Sequence, residues 1–325
     1  MVDWDLAIAT GTRLVPAGPK ATAEEVVGVV DRLRDSAQRA EHHVREVTRL
    51  DAPIGLSPTL VIDRSSWIRA NVDTMRHLVG HLQAGPLVAK AGGVETGAAL
   101  AFLAPKILGQ FDPFHAPHGR LLLVAPNVLK VQRELRLDAD DFALWVCLHE
   151  ETHRVQFTHA PWLVDHMRAR ITQLLDAFGG LSAVEGLARA ARERDQSLID
   201  TLIDPERRSL LDEITAVMSL LEGHADVMMD RVGTRVVPSL PRIRRSFDQR
   251  RSSTRGRLDR MIRRVLGLDA KLRQYRDGAT FCRRVIARVG VDGLNTAFTE
   301  PAALPTLDEI HQPGRWLGRV AGRAA

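Results

Sequence analysis

Leu144-Trp145-Val146-Cys147-Leu148-His149-Glu150-Glu151-Thr152-His153-Arg154-Val155-Gln156-Phe157 is the stretch on which the reading of this chain turns. Apolar residues crowd both sides of a polar block, and no glycine or proline interrupts it, so the pattern predicts a buried helix. On a helix, positions i and i+4 share a face. His149 and His153 therefore present two imidazoles side by side, with Glu150 next to them in sequence. Two histidines so placed can hold one metal ion while the carboxylate reaches a water on it. The ion that suits this donor set is Zn2+, and the chemistry is hydrolysis of a peptide or amide bond with Glu150 as the catalytic base. The alternative is a pair of core histidines satisfied by their neighbours.

A catalytic zinc usually takes three protein ligands. His159 lies ten residues after His149, the spacing of the H-E-x-x-H-x-x-G-x-x-H pattern, but Gln156 stands where that pattern has glycine. Without the turn that glycine allows, the helix carries His159 about 9 Å along the axis beyond His153 and off the ligand face. Glu222 is the stronger candidate. In Leu221-Glu222-Gly223-His224-Ala225-Asp226 it shares a helical face with Asp226, which could accept the free ring N–H of a ligand histidine. That spacing resembles the gluzincin group of metallopeptidases. His224 is a lesser candidate. An oxyanion-stabilising donor is also needed; Tyr275, His159, His115 and His118 are candidates, each with an ordinary structural role as the alternative.

Working outward, the chain reads as mainly α with a small β-sheet beside the His149–His153 helix, an α+β arrangement. Thr22 to Leu50 has the periodicity of one or two amphipathic helices. Thr59 to Asp63 and Arg120 to Ala125 are β-branched or apolar runs that predict strands. The second of these could be an edge on which an extended peptide pairs. Ser65 or Ser66 could cap a helix reaching Leu82. Gly92-Gly93 reads as a break before a small, apolar helix from Val94 to Leu108, and Gly109 to Gly119 as a loop. Pro161 to Phe178, Ala183 to Leu198 and Pro205 to Arg231 are further helices, the last stopped by Gly233. Arg242 to Arg288 is helical and arginine-rich. Glu300 to Ala325, richer in proline and glycine, reads as irregular. A catalytic domain over 1–235 followed by a C-terminal helical region over 236–325 packed on it fits this order, as does one continuous domain.

The 325 residues are 45% hydrophobic but only 5% aromatic, so the core must be largely Leu, Val, Ile and Ala, which favours helix over an all-β fold. Two cysteines, Cys147 and Cys282, give neither a disulfide framework nor a cysteine-rich zinc site. The N-terminus carries no basic-then-apolar leader, and Gly97 to Gly109 is too short to span a bilayer, so the expectation is a cytoplasmic protein without a membrane partner. Net charge is +5. It concentrates in Arg242 to Arg264, where ten arginines face Asp248 and Asp259. That is an electrostatic footprint for nucleic acid. Yet Phe247 is the only aromatic residue in it, so no stacking platform accompanies the charge, which argues against that partner.

His149 to Phe157 with Pro161-Trp162-Leu163, Gly109 to Phe114, Leu122 to Asn127, Leu221 to Asp226 and Leu266 to Tyr275 together resemble the actinobacterial zincin-like metallopeptidase type 2 family. That family is also labelled a predicted hydrolase or a coenzyme F420 biosynthesis-associated protein. The resemblance runs from about Trp4 to Phe298. It implies a zincin-like fold and zinc-dependent hydrolysis with His149, His153 and Glu222 as ligands. It implies no substrate, and no residue here argues for binding F420; a peptide or protein substrate is what the His149–Glu150–His153 chemistry itself suggests. Two other classes stay open: a zinc-stabilised scaffold without catalysis, for which Glu150 would have no use, and a nucleic-acid-binding protein acting through 242–264.

Overall fold

The computed structural model describes residues 2–53, 55–79, 85–177, 205–252 and 268–321, except the side chains of 250–252, 268–276 and 321. In chain order the helices and strands are α1 (Trp4–Leu14), α2 (Ala23–Thr48), β1 (Thr59–Ile62), α3 (Arg64–Val79), α4 (Pro86–Leu103), β2 (Gly109–Asp112), β3 (Arg120–Val124), α5 (Ala125–Leu135), α6 (Ala139–His159) and α7 (Trp162–Ala177). Then come α8 (Pro205–Val232), α9 (Leu240–Ser252), α10 (Leu268–Asn295), α11 (Leu307–His311) and α12 (Pro313–Ala321). The chain is mainly helical with one small sheet, as the composition and periodicity predict. The helix expected over Ala183 to Leu198 lies outside the described residues.

Contacts divide the described chain into two compact units. The first comprises Met1–Val47, Ala52–Thr158 and Val232–Arg244. Its sheet has the order β1-β3-β2, with β1 parallel and β2 antiparallel to β3. Every residue of β3 is buried. The expectation that Arg120 to Ala125 forms a sheet edge is therefore overturned: β3 is the middle strand, with both rows of backbone groups paired, and β2 is an edge. The sequence hid β2 inside an expected loop. Its four residues are too few to show a period of two, and pairing with β3 supplies the strand state.

Alternation along β2 then divides its side chains between two neighbours. Gln110 and Asp112 turn toward α3. Gln110 Oε1 accepts from Trp67 Nε1 at 2.7 Å, and Asp112 accepts from Thr74 Oγ1 at 2.6 Å and Arg120 Nε at 3.1 Å. Gly109 and Phe111 turn toward α6, where the Phe111 ring lies 6.1 Å from that of Phe157. The chain entering β2 is fixed by Asn127, fully buried at the start of α5, whose Nδ2 donates to the carbonyls of Ala104 and Ile107 at 2.6 Å each. Arg64 Nε completes that side chain by donating to its Oδ1 at 2.7 Å.

Three further expectations change. Gly92-Gly93 does not break a helix: α4 runs through both from Pro86. These glycines and Gly97 are the face on which α1 packs, since a Cβ on Gly97 would stand 2.5 Å from the carbonyl oxygen of Ala7. Starting at Pro86, the helical stretch to Lys106 is 21 residues with mean hydropathy 1.3, long and apolar enough to cross a membrane by length and composition alone. The apolar helix expected over Val94 to Leu108 thus begins eight residues earlier, and core helices share this length and composition. The cap of α3 is Asp63, whose Oδ1 accepts from the Ser66 N–H at 2.7 Å, rather than either serine.

The second unit comprises Thr48–Asp51, His159–Arg231 and Arg245–Ala325. Helices α8 and α10 cross at Gly223 and Gly278 so closely that a Cβ on Gly278 would lie 1.9 Å from the carbonyl oxygen of Ser219. From Glu300 to Val320 the chain is largely helical, contrary to its irregular reading. Pro301 and Pro313 start helical turns, where a missing N–H costs nothing, and Thr306 with Glu309 forms a capping box at α11. Trp316 of α12 is fully buried, with its ring against Phe281 and its Nε1 donating to Ala303 O at 2.8 Å.

Candidate metal centre

The helix α6 is built to be buried. Asp138 accepts from the N–H groups of Asp140 and Asp141 at its start, and the helix then runs unbroken to His159. Its back is held against α2. The thiol of Cys147, fully buried, lies 3.7 Å from Leu33 O, and burial pushes its pKa well above the ordinary thiol value, so it behaves as a small apolar residue. Arg154 donates to Glu151 Oε1 through Nε at 2.7 Å, to Glu41 Oε1 through Nη2 at 2.8 Å and to Pro53 O through Nη1 at 3.2 Å. Arg154 and Glu151 are each 3% exposed, so this pair is sealed from solvent. Burial pushes the Glu151 carboxyl up to about 7, with the Arg154 guanidinium pulling the other way. Glu151 thus has a structural role, and Glu150 beside it does not share that pairing.

The front of α6 carries the expected constellation. The Nε2 atoms of His149 and His153 lie 3.3 Å apart, with the rings edge to face. Two ring nitrogens that close are aimed at one point. His153 is oriented from its other side: Nδ1 lies 2.9 Å from Oε1 of the fully buried Gln156. An amide oxygen only accepts, so with Gln156 oriented this way Nδ1 is the donor in that contact, and Nε2 is the atom turned to His149. Sequence reasoning took Gln156 only as an absent glycine. Its i+3 position, on the same face as His153, was the signal for this role.

Glu150 is buried at 8% exposure and packs against the edge strand. A Cβ on Gly109 would lie 2.6 Å from Glu150 Cγ and 3.0 Å from both Cδ and Oε1. Gly109 is therefore the position on β2 where the carboxylate comes against strand backbone, a contact the sequence did not reveal because the glycine sits in an apparent loop.

Glu222 lies on α8, half-buried. Asp226, one turn on, has its Oδ2 3.2 Å from Arg283 Nη2 of α10. His224 between them is fully buried, its ring 5.3 Å from that of Phe298. His159 is the last residue of α6 and its Nδ1 lies 2.8 Å from Asp51 O. Because α6 is unbroken at Gln156, His159 does not share the face of the histidine pair. His115 falls in the connection between β2 and β3. Tyr275 belongs to α10, with its side chain outside the described residues. Of the arginine-rich segment, Arg242 donates to Arg136 O at 2.6 Å and Arg244 lies over the Trp145 ring at 5.9 Å, while 253–264 lie outside the described residues.

A family model described as zincin-like metallopeptidase matches residues 2–317. The chain is also similar to a solved structure from Chloroflexus aurantiacus titled a "putative hydrolase with a novel fold", with 30% identity, a TM-score of 0.70 and 99% of each chain covered. No curated protein matches the chain.

Proposed function

This chain belongs to the zincin-like metallopeptidase family, and on that premise we propose that it is a zinc-dependent metallopeptidase in which His149, His153 and Glu222 hold the ion and Glu150 moves the proton. The carrying observation is the 3.3 Å between the two Nε2 atoms. A tetrahedral zinc with Zn–N bonds of about 2.0–2.1 Å needs its nitrogens about 3.3–3.4 Å apart, so the pair fits the ion without rearrangement. In support of the third ligand, Glu222 is half-buried on α8 with Asp226 one turn on, the carboxylate pair the sequence singled out. Asp226 is the proposed acceptor for the ring N–H of a ligand histidine, a role that Gln156 takes for His153.

Zinc, when bound, supplies a Lewis acid that polarises the scissile carbonyl and lowers the pKa of water toward neutrality. The chain's own residues do the rest. Glu150 takes a proton from the attacking water and delivers it to the leaving amine. Its place against Gly109 sets that carboxylate beside β2. The role of peptide-pairing edge, expected of Arg120 to Ala125, passes in this reading to β2, along which an extended substrate would add as a strand. His115, His159 and Tyr275 remain proposed oxyanion or substrate contacts.

A non-catalytic scaffold would give Glu150 no reason to be a buried carboxylate beside the ligand pair. The test is elemental analysis of protein purified without chelator or a His tag. About one zinc per chain is expected, falling to a small fraction of that in Glu222→Ala. A wild-type chain that takes up no added zinc would end the proposal. Full zinc in Glu222→Ala would pass the third position to His159 or His224.

A further inference from the structure

Several described arginines are paired with carboxylates: Arg120 with Asp112, Arg154 with Glu151, Arg283 with Asp226, Arg319 with Glu309. Arg284, Arg288 and Arg315 are not. Among the described residues none of the three has a carboxylate within ion-pair distance, yet all three line one cleft of about 650 Å³ formed by α10, α11 and α12. No aspartate or glutamate lines it. His311 stands on its wall, with its own acidic neighbour, Asp277, at 3.7 Å.

The placement of these cations works against local stability. Arg284 and Arg288 are i and i+4 on α10, where like charges repel. Arg315 lies in the first turn of α12, which has no acidic residue there, so a cation meets the positive end of the helix. The Arg288 guanidinium lies over that same end: a Cβ on Gly314 would be 3.7 Å from its Nη1. The geometry is also rigid on one side, because Trp316 is fully buried and Arg319 of α12 is bonded to Glu309 and to the carbonyls of Ala302 and Leu304. Three unneutralised guanidiniums and a helix N-terminus around one pocket are the donor set of a phosphate site.

We propose that this cleft binds a small molecule through a phosphate or diphosphate group. Its volume falls in the range of small-ligand sites. A single carboxylate would leave most of the positive charge uncompensated.

The test is calorimetric titration of the full, metal-loaded chain with inorganic pyrophosphate at about 0.15 M salt, where nonspecific attraction is screened. Saturable binding of about one per chain is expected. Arg288→Gln alone, and Arg284→Gln with Arg315→Gln, should each weaken it roughly tenfold or more with Tm unchanged or slightly raised, since each removes charge-assisted bonds from exposed side chains and relieves cation repulsion. Binding should persist after zinc is stripped with the uncharged chelator 1,10-phenanthroline. Absence of saturable binding, an unchanged Kd in both variants, or loss of binding with the metal would overturn the proposal. Tighter binding of citrate than of pyrophosphate would overturn the phosphate assignment.

Discussion

Oε1 of Gln156 lies 2.9 Å from Nδ1 of His153, three residues back on the same helix. That bond fixes both the tautomer and the ring plane of a proposed ligand. Removal of such a partner typically costs about 10–100-fold in metal affinity. Gln156→Ala should therefore bind zinc that much more weakly, measured by competition with a chromophoric chelator. Gln156→Glu, which keeps an acceptor in place, should restore affinity. Equal affinity in all three proteins would show that the bond does not orient the ligand.

Gly109→Ala tests the contact between β2 and Glu150. The added methyl would overlap the Glu150 side chain at 2.6 Å and displace it. A shift of about 1 Å in a catalytic group can cost about 100-fold in rate. Peptide hydrolysis should fall by that order while zinc stoichiometry stays at the wild-type value, a profile shared with Glu150→Gln. Loss of zinc along with activity would mean that the strand supports the ligands rather than the base.

Gly223→Ala tests the crossing of α8 and α10. A Cβ there would meet the backbone carbonyl carbon of Gly278 at 2.1 Å, with no flexible side chain to yield. The cost should reach the upper end of the about 1–3 kcal/mol seen for overpacked cores. Chemical denaturation reads it directly, and an unchanged midpoint would refute the close approach.

Glu309 gives a pH dependence. Burial raises its pKa, but the bonds from Arg319 and the Thr306 N–H outweigh that and hold it below the ordinary glutamate value. A carboxylate depressed in the folded state contributes stability that is fully present above its unfolded pKa of about 4.3 and is lost as pH falls through the folded value. The Tm difference between wild type and Glu309→Gln should therefore be widest near neutrality and shrink below about pH 4. A difference that does not change with pH would assign the effect to packing.

The pairing of His149 with His153 was legible because it depends on local rules. The i and i+4 spacing of His149 and His153 needs only a helix, and Asp138, Leu144 to Leu148 and Pro161 specify one. Strand β3 and helix α8 were legible for the same reason. What escaped depends on neighbours distant in sequence. Gly109 reads as loop until β3 pairs with it. Gly92 and Gly93 read as a break until α1 packs on them. Asp63 outcompetes Ser65 and Ser66 as cap by position alone. Gln156 looked like the lack of a glycine, and only the imidazole turned toward it shows that it takes part. The proline-rich tail misled because proline is a breaker inside a helix but a starter at its first turn.

The clamp of Arg154 on Glu151 and Glu41 lies on the side of α6 away from the histidines, and it has a consequence for metal traffic. Zinc fingers fold around their ion and lose their shape without it. Here protein contacts fasten the helix, so the proposed centre would keep its two imidazoles in place with or without an ion. Cobalt or nickel should then replace zinc by simple dialysis, with no refolding step. Which ion the proposed centre would take in a cell is then set by the supply of each metal and by its taste for tetrahedral nitrogen and oxygen donors.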